Sequence, residues 1–113
     1  IVYATPAKTS LAGVPPSLID AHGPVSEEVA AALAAGVRER AGTDVGLAVV
    51  GVAGPTTQGG KAVGTVCLGA VLADGTTHTR TVNLPPRPRR DMQEFSASIA
   101  LDFLHRRLAA ATA

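Results

Sequence analysis

Residues 44–52 (DVGLAVVGV) form an almost unbroken apolar run, and no other segment limits the possible fold as strongly. The run is far shorter than the roughly 20 residues that a membrane-spanning helix requires. A short apolar run that ends in glycine and proline is typical of a strand buried on both faces. Gly51, Gly54 and Pro55 supply that ending. We therefore predict a central strand followed by a tight turn.

A second signal predicts a β-hairpin further along the chain. Residues 62–73 and 76–84 both have strand character, and Asp74-Gly75 between them is a common two-residue hairpin turn. In the second strand, polar residues occupy alternate positions (Thr77, Thr79, Thr81 and Asn83). Successive side chains of a strand point to opposite faces, so one face of this strand is expected to be solvated.

The clearest helix follows Ser26, a favourable N-cap, and stops at Gly42. Acidic residues occupy its first turn and basic residues its last, as the helix dipole favours. Its apolar stripe repeats every four residues (Val25, Val29, Leu33 and Val37). The alanines between these positions indicate close approach to a sheet or another helix.

Weaker signals complete the predicted order of elements. Residues 1–3 are expected to end a strand, and short helices are expected near 5–11 and 16–19. A long helix is predicted over about 90–110, with Phe95, Ile99 and Phe103 on its apolar side. The whole predicts an α/β fold, a layered α/β/α sandwich of helices on a mixed sheet, formed by residues 1–113 as one domain.

Composition excludes several classes of function. With 46% apolar and 17% charged residues the chain is globular, and its core must be aliphatic because only Tyr3, Phe95 and Phe103 are aromatic. A net charge of +1 argues against a nucleic-acid surface. No apolar run is long enough to span a membrane. The single cysteine, Cys67, fits a reducing compartment, so a cytoplasmic location is predicted.

The turn Gly51-Val-Ala-Gly54-Pro55 has two interpretations. Glycines after a buried strand let backbone N–H groups approach a phosphate, and ligand crevices often form there. The turn is equally consistent with a simple change of chain direction. A Walker A loop is excluded because Pro55 stands where its first glycine is needed, and Lys61 is followed by Ala62 instead of a hydroxyl residue.

Other chemical groups give little signal by themselves. Tyr3 and Lys8 would form an acid–base pair if their side chains met, although such residues are far more often a packing group and a surface charge. His22, His78 and His105 lack the paired spacing of metal ligands, so no metal site is predicted. Cys67 is expected to be a small core residue. Arg87, Arg89 and Arg90 bind a phosphate or a neighbouring subunit, or are simply solvated.

Read together, three strings resemble the CinA C-terminal domain in order and spacing. They are Gly23-Pro-Val-Ser-Glu-Glu-Val-Ala30, Asp44-Val-Gly-Leu-Ala-Val-Val-Gly-Val-Ala-Gly-Pro55 and Lys61-Ala-Val-Gly-Thr-Val66. The corresponding family strings are G-x-V-S-E-E-V-A, a strand ending in T-G-I-A-G-P, and P-V-G-T-V. Tyr3 to Lys8 is similar to the family's T-Y-S-N-x-x-K, and Arg89 to Leu101 is similar to the segment that opens its last helix.

The resemblance implies hydrolysis of the carboxamide of nicotinamide mononucleotide (NMN) to nicotinate mononucleotide and ammonia, without metal or cofactor. In the family a serine within S-C-T-G-G attacks the amide, and Tyr3 and Lys8 match the tyrosine and lysine that assist it. The turn that would surround the nucleotide contains Gly51, Ala53, Gly54 and Pro55, and Arg89 matches an arginine that would meet phosphate.

Departures from the family pattern keep a second interpretation open. No S-C-T-G-G string occurs in this sequence, and the family domain has several tens of residues before the tyrosine, so its N-terminal strand–helix segment is expected to be missing here. Val50 replaces a threonine, Thr5 an asparagine and Gln93 an arginine, while Arg87-Pro88 replaces Gly-Asp. The alternative is a degenerate nucleotide-binding or oligomerisation module.

Expected partners follow from the same considerations. The ligand is expected to be a small nucleotide, whereas near-neutral charge and few aromatic residues disfavour a DNA-associated competence factor. Open sheet edges make a homodimer or larger homo-oligomer plausible.

Overall fold

A computed structural model describes residues 12–52, 61–85 and 87–112. The described elements are helices α1 (Pro16–His22), α2 (Glu27–Ala41) and α3 (Arg89–Thr112), and strands β1 (Gly46–Gly51), β2 (Thr65–Val71) and β3 (Thr77–Asn83). The strand predicted at 1–3 and the helix predicted at 5–11 lie outside these residues. In the described parts of the chain, no helix is long and apolar enough to cross a membrane.

The three described strands form a sheet of order β1-β2-β3 in which both pairings are antiparallel. A tight turn joins β2 to β3 as predicted, because Gly75 takes a φ of 85° and the Asp74 carboxylate accepts hydrogen bonds from the Thr76 backbone and hydroxyl. The mixed pairing predicted for the sheet is not seen among these three strands. The further strand predicted at 1–3 lies outside the described residues.

Helix α2 begins and ends where the sequence predicts. The Ser26 hydroxyl accepts a hydrogen bond from the Val29 amide at 3.2 Å, and Gly42 ends the helix with a φ of 65°. The helix lies so close to the sheet that only glycine fits beneath it. A Cβ at Gly69 would stand 2.5 Å from the Ala30 carbonyl, and one at Gly46 would stand 2.0 Å from the Ala34 oxygen. The small residues of α2 and of the strands therefore permit this contact.

Helices cover both faces of the sheet, which confirms the layered α/β fold. On one face α2 packs over a core of small aliphatic side chains (Val29, Ala30, Leu33, Ala34, Ala48, Val50 and Val71 among them). Leu18 and Ile19 of α1 pack against the same cluster. On the other face α3 packs Ala100 and Phe103 against Val66, Leu68 and Ala70 of β2. All seven residues of β2 are buried as a result.

Three packing predictions are wrong in part. The apolar run at 44–52 predicts a strand buried on both faces, yet β1 alternates, and Val49 on the α3 side is 41% exposed. Among the described strands β1 is an edge, and β2 is the buried centre. Val37 is 39% exposed because the α2 stripe turns away from the sheet after Leu33. Phe95 is 45% exposed, with the Arg87 guanidinium 3.9 Å above its ring.

Candidate functional site

The register of the sheet brings the end of β1, the start of β2 and the end of β3 together. Gly51 at the end of β1 pairs with Val66, and Thr65 at the start of β2 pairs with Asn83 at the end of β3. These residues lie at one end of the sheet, which we call the site end. The chain also enters α3 from the site end, since Arg89 follows Asn83 by only six residues.

The segments before and after residues 53–60 are hydrogen-bonded to each other at the site end. We call these segments, Val52 and residues 61–65, the two stems. The Val52 amide donates to the Thr65 carbonyl at 2.9 Å, and the Gly64 amide donates to the Val52 carbonyl at 2.8 Å. The Leu84 amide in turn donates to the Gly64 carbonyl at 2.8 Å. Gly64 has a φ of 95°, and a Cβ there would stand 2.1 Å from the Leu84 oxygen. The described residues on either side of 53–60 are therefore fixed to β2 and to the segment after β3.

Only two of the predicted site residues are described. Gly51 is exposed at the end of β1, and Arg89 is the exposed first residue of α3, so the topology places both at the site end. Tyr3, Lys8, Ala53, Gly54 and Pro55 lie outside the described residues. Their predicted roles stay predictions.

A polar row on the α2 side of the sheet leads toward the site end. The Glu27 carboxylate, in the first turn of α2, accepts hydrogen bonds from the hydroxyls of Thr79 at 2.9 Å and Thr81 at 2.5 Å. Beyond Thr81, the Thr65 hydroxyl donates to the Asn83 side-chain oxygen at 3.4 Å. The threonine face predicted to be solvated is thus partly occupied by a carboxylate from the helix. The sequence shows the alternating threonines but not which helix residue meets them.

Cys67 lies within this polar row but is not suited to nucleophilic attack. Its sulfur is 3.7 Å from the Thr81 hydroxyl oxygen, and the residue is 2% exposed. Burial raises the pKa of the Cys67 thiol, an effect larger than that of the hydrogen bond with Thr81, which lowers it. A buried protonated thiol is a core residue, as predicted.

The histidines do not gather into a metal centre. In residues 12–52, 61–85 and 87–112, no group of three or more His, Cys, Asp or Glu side chains could hold an ion. His22 stands 3.8 Å from the Glu28 carboxylate at the surface, and His78 contacts the Thr76 hydroxyl.

Comparison with known proteins identifies the family. Residues 1–108 match the family described as the CinA C-terminal domain. The chain belongs to the CinA C-terminal domain family. This CinA domain is 49% identical over 111 residues to the CinA-like protein of Mycobacterium tuberculosis (strain ATCC 25618 / H37Rv) and 50% identical to that of Mycolicibacterium gilvum. Each alignment covers 96% of the chain but only 25% and 26% of the respective relative, so the chain spans about a quarter of their length.

Solved structures show the same architecture. The competence or damage-inducible protein from Enterobacter asburiae superposes with a TM-score of 0.84 at 33% identity, covering 91% of the CinA domain and 64% of that chain. The competence damage-inducible protein A from Klebsiella pneumoniae subsp. pneumoniae gives a TM-score of 0.89 at 27% identity, covering 96% and 66%. The likeness confirms the fold class expected from the sequence strings.

A shallow cleft elsewhere on the CinA domain is a weaker candidate for the functional site than the site end. It lies along the outer side of α2 and is lined mainly by small residues, with Glu39 and Arg40 at its rim. Glu39 and Arg40 belong to the C-terminal half of α2, where Arg38 donates hydrogen bonds to the carbonyls of Asp44 and Ala73. That half lies at the opposite end of the sheet from Gly51. None of the predicted site residues that the structure describes lines the cleft.

The contact of Glu27 with β3 predicts a pH-dependent stability. Hydrogen bonds from Thr81 and Thr79 lower the pKa of Glu27 below its ordinary value of 4.5. Because the folded-state pKa is the lower one, the stabilisation is complete above the unfolded-state pKa and is lost as pH falls through the folded-state pKa. We expect Glu27→Gln to lower the free energy of unfolding by about 1 kcal/mol at pH 7 and to flatten its decline below about pH 5.

Urea unfolding at a series of pH values measures this difference. Glu28→Gln is the matched control, since Glu28 lies one residue further along α2 and faces His22 instead of β3. An equal loss in both variants at every pH would contradict a specific contribution from the threonine contacts.

Proposed function

We propose that this CinA domain contributes to an amidohydrolase that converts nicotinamide mononucleotide to nicotinate mononucleotide and ammonia. The main support is the match to the family over residues 1–108, together with the motif residues Tyr3 and Lys8 at the positions of the family's tyrosine and lysine. The family's serine attacks the amide carbonyl and forms an ester as ammonia leaves, and water then hydrolyses the ester to release nicotinate mononucleotide and the free serine. In this scheme Tyr3 and Lys8 move protons to and from the attacking serine and the departing amine.

The geometry of the site end supports a nucleotide site there. Val52 and Gly64 hold the base of the glycine-rich turn in a fixed position, and Arg89 enters from the same end. Backbone amides of such a turn bind anions well, and a guanidinium forms paired hydrogen bonds with phosphate. The proposal therefore assigns nucleotide binding to Gly51, Ala53, Gly54, Pro55 and Arg89. It requires no metal or cofactor.

The substitution of valine for threonine at position 50 is compatible with this proposal. Val50 is 7% exposed and belongs to the core beneath α2. It pairs with Cys67, so a hydroxyl at this position would lie among buried apolar groups. Valine packs well in this part of the sheet. Relative to the family's threonine, the site loses one hydroxyl group before Gly51.

The first test is an assay of the intact gene product with nicotinamide mononucleotide, following ammonia and nicotinate mononucleotide together. We expect turnover, and we expect Tyr3→Phe and Lys8→Ala each to lower kcat by about 10²- to 10⁴-fold, the usual contribution of a positioned acid or base. Arg106→Gln is a suitable control, because Arg106 pairs with Asp102 on the exposed side of α3.

A second candidate function is a nucleotide-binding or oligomerisation module without catalysis. It is favoured by departures from the family pattern at three positions, Val50, Thr5 and Gln93. Binding of nicotinamide mononucleotide without release of ammonia by the intact gene product would support this module and contradict the enzyme. Homo-oligomer formation stays a prediction under either function, and light scattering of the same sample measures it.

A further inference from the structure

Lys61 occupies a fixed position at the site end. It is the first described residue after residues 53–60, and it makes a single β-bridge. Four residues further on, the Thr65 amide donates to the Ala62 carbonyl at 3.1 Å, and the Gly64 amide donates to the Val52 carbonyl. The backbone that carries Lys61 is therefore held at the site end by bonds between Val52 and residues 62–65.

The ammonium of Lys61 has no acidic partner among the described residues. The three ion pairs of those residues are His22–Glu28, Arg90–Glu94 and Arg106–Asp102. Lys61 lies close enough for its charge to act on Cys67, as do the charges of Glu27 and Glu28. However, Glu27 already accepts hydrogen bonds from Thr79 and Thr81, and Glu28 faces His22. Neither nearby carboxylate forms an ion pair with the lysine.

Lys61 is a cation at the site end with no carboxylate partner among the described residues, so its ammonium is available to an anionic ligand. Lys61 is of intermediate exposure, so its stem is partly packed and its position restricted. Lysine binds phosphate well because its ammonium presents a positive charge and three N–H donors. The anion must reach the site end, where the two fixed stems leave the sheet.

We propose that Lys61 binds the phosphate of the nucleotide substrate and so determines preference for the phosphorylated substrate over the nucleoside. This inference rests on the proposed function, because it assigns the lysine to the mononucleotide of that reaction. Nicotinamide mononucleotide carries its phosphate at the end remote from the carboxamide. Lys61 thus acts in binding, and Tyr3 and Lys8 retain the proton transfers.

The experiment compares nicotinamide mononucleotide with nicotinamide riboside, which has the same carboxamide and no phosphate. For Lys61→Met in the intact gene product, we expect KM for the mononucleotide to rise by about 10- to 100-fold, the effect of one charge-assisted hydrogen bond. We expect kcat to change by less than about threefold, since the contact is made equally in ground and transition states. With the riboside, kcat/KM is expected to equal that of the wild type.

Two control variants separate binding from folding. Lys61→Arg keeps the positive charge and is expected to retain most of the affinity for the mononucleotide. Arg106→Gln removes a cation from the exposed side of α3, where it pairs with Asp102, so no change in KM is expected. A parallel loss of kcat/KM with both substrates in Lys61→Met would indicate a structural role and overturn the inference.

The outcomes also distinguish this inference from the proposed function. Turnover of the mononucleotide with an unchanged KM in Lys61→Met would overturn the role of Lys61 and leave the amidohydrolase intact. If the wild type shows no turnover, calorimetry with nicotinamide mononucleotide gives the affinity directly. Binding that weakens in Lys61→Met would then support the inference while the enzyme proposal fails. Absence of binding to the wild type would overturn both.

Discussion

Gly69→Ala is expected to lower the free energy of unfolding by about 2–3 kcal/mol, because a methyl group has no space beneath α2. The new Cβ would stand 2.5 Å from both the carbonyl carbon and oxygen of Ala30. These are backbone atoms of a helix, so the clash cannot be relieved by a rotamer change. The helix would have to move away from the sheet, and that movement would also loosen the contact of Gly46 with Ala34. Urea unfolding followed by circular dichroism measures the loss.

Gly42→Ala is the matched control for this variant. Nothing lies within 4 Å of a Cβ at Gly42, but its φ of 65° disfavours alanine. The expected loss is about 1 kcal/mol, from backbone conformation alone. If Gly69→Ala proved no more destabilising than Gly42→Ala, α2 would not lie against β2 as closely as described.

Leu68→Ala is expected to cost about 3 kcal/mol, within the range for truncating a fully buried leucine. Leu68 is 0% exposed at the centre of β2, and it belongs to the cluster that includes Ala100 and Phe103 of α3. The cavity would lie between two packed layers of backbone, which cannot easily collapse into it. The loss in free energy of unfolding therefore includes both the transfer of the side chain and the empty space.

Leu101→Ala on α3 provides the comparison for the same chemical change. Leu101 is 63% exposed, so its truncation is expected to change the free energy of unfolding by less than about 0.5 kcal/mol. Chemical denaturation of the two variants side by side tests the position of α3 on the sheet. Similar losses in both would mean that α3 presents a different face to β2.

Much of this protein follows from local sequence. Ser26 and Gly42 place α2 because capping and left-handed backbone conformation depend on a few neighbouring residues. Asp74-Gly75 places the hairpin for the same reason, since the aspartate bonds the backbone two residues on. The family strings likewise identify the chain as a CinA domain, because their order and spacing are properties of the sequence.

The candidate site could be predicted only in outline. Gly51 and Arg89 are recognisable from their motifs, but their common position at one end of the sheet depends on the pairing of β1, β2 and β3. Lys61 directly precedes the residues that match the family's P-V-G-T-V, but the sequence assigns it no role, and its neighbours exclude a Walker A loop. The structure adds that Glu27 is bonded to Thr79 and Thr81 and that Glu28 pairs with His22, which leaves Lys61 without a carboxylate partner among the described residues.

Packing of the helices on the sheet sets which faces are covered and which residues meet across long distances in the sequence. An apolar run like that of β1 predicts burial, but it cannot specify whether a neighbour or α3 covers each face, and Val49 is left 41% exposed. Glu27 meets Thr79 and Thr81 across 52 and 54 residues. Capping and turn preferences act over a few residues, whereas these contacts depend on how the helices lie on the sheet. Local sequence thus specifies the elements and the family, whereas packing creates the site end and the polar row beside it.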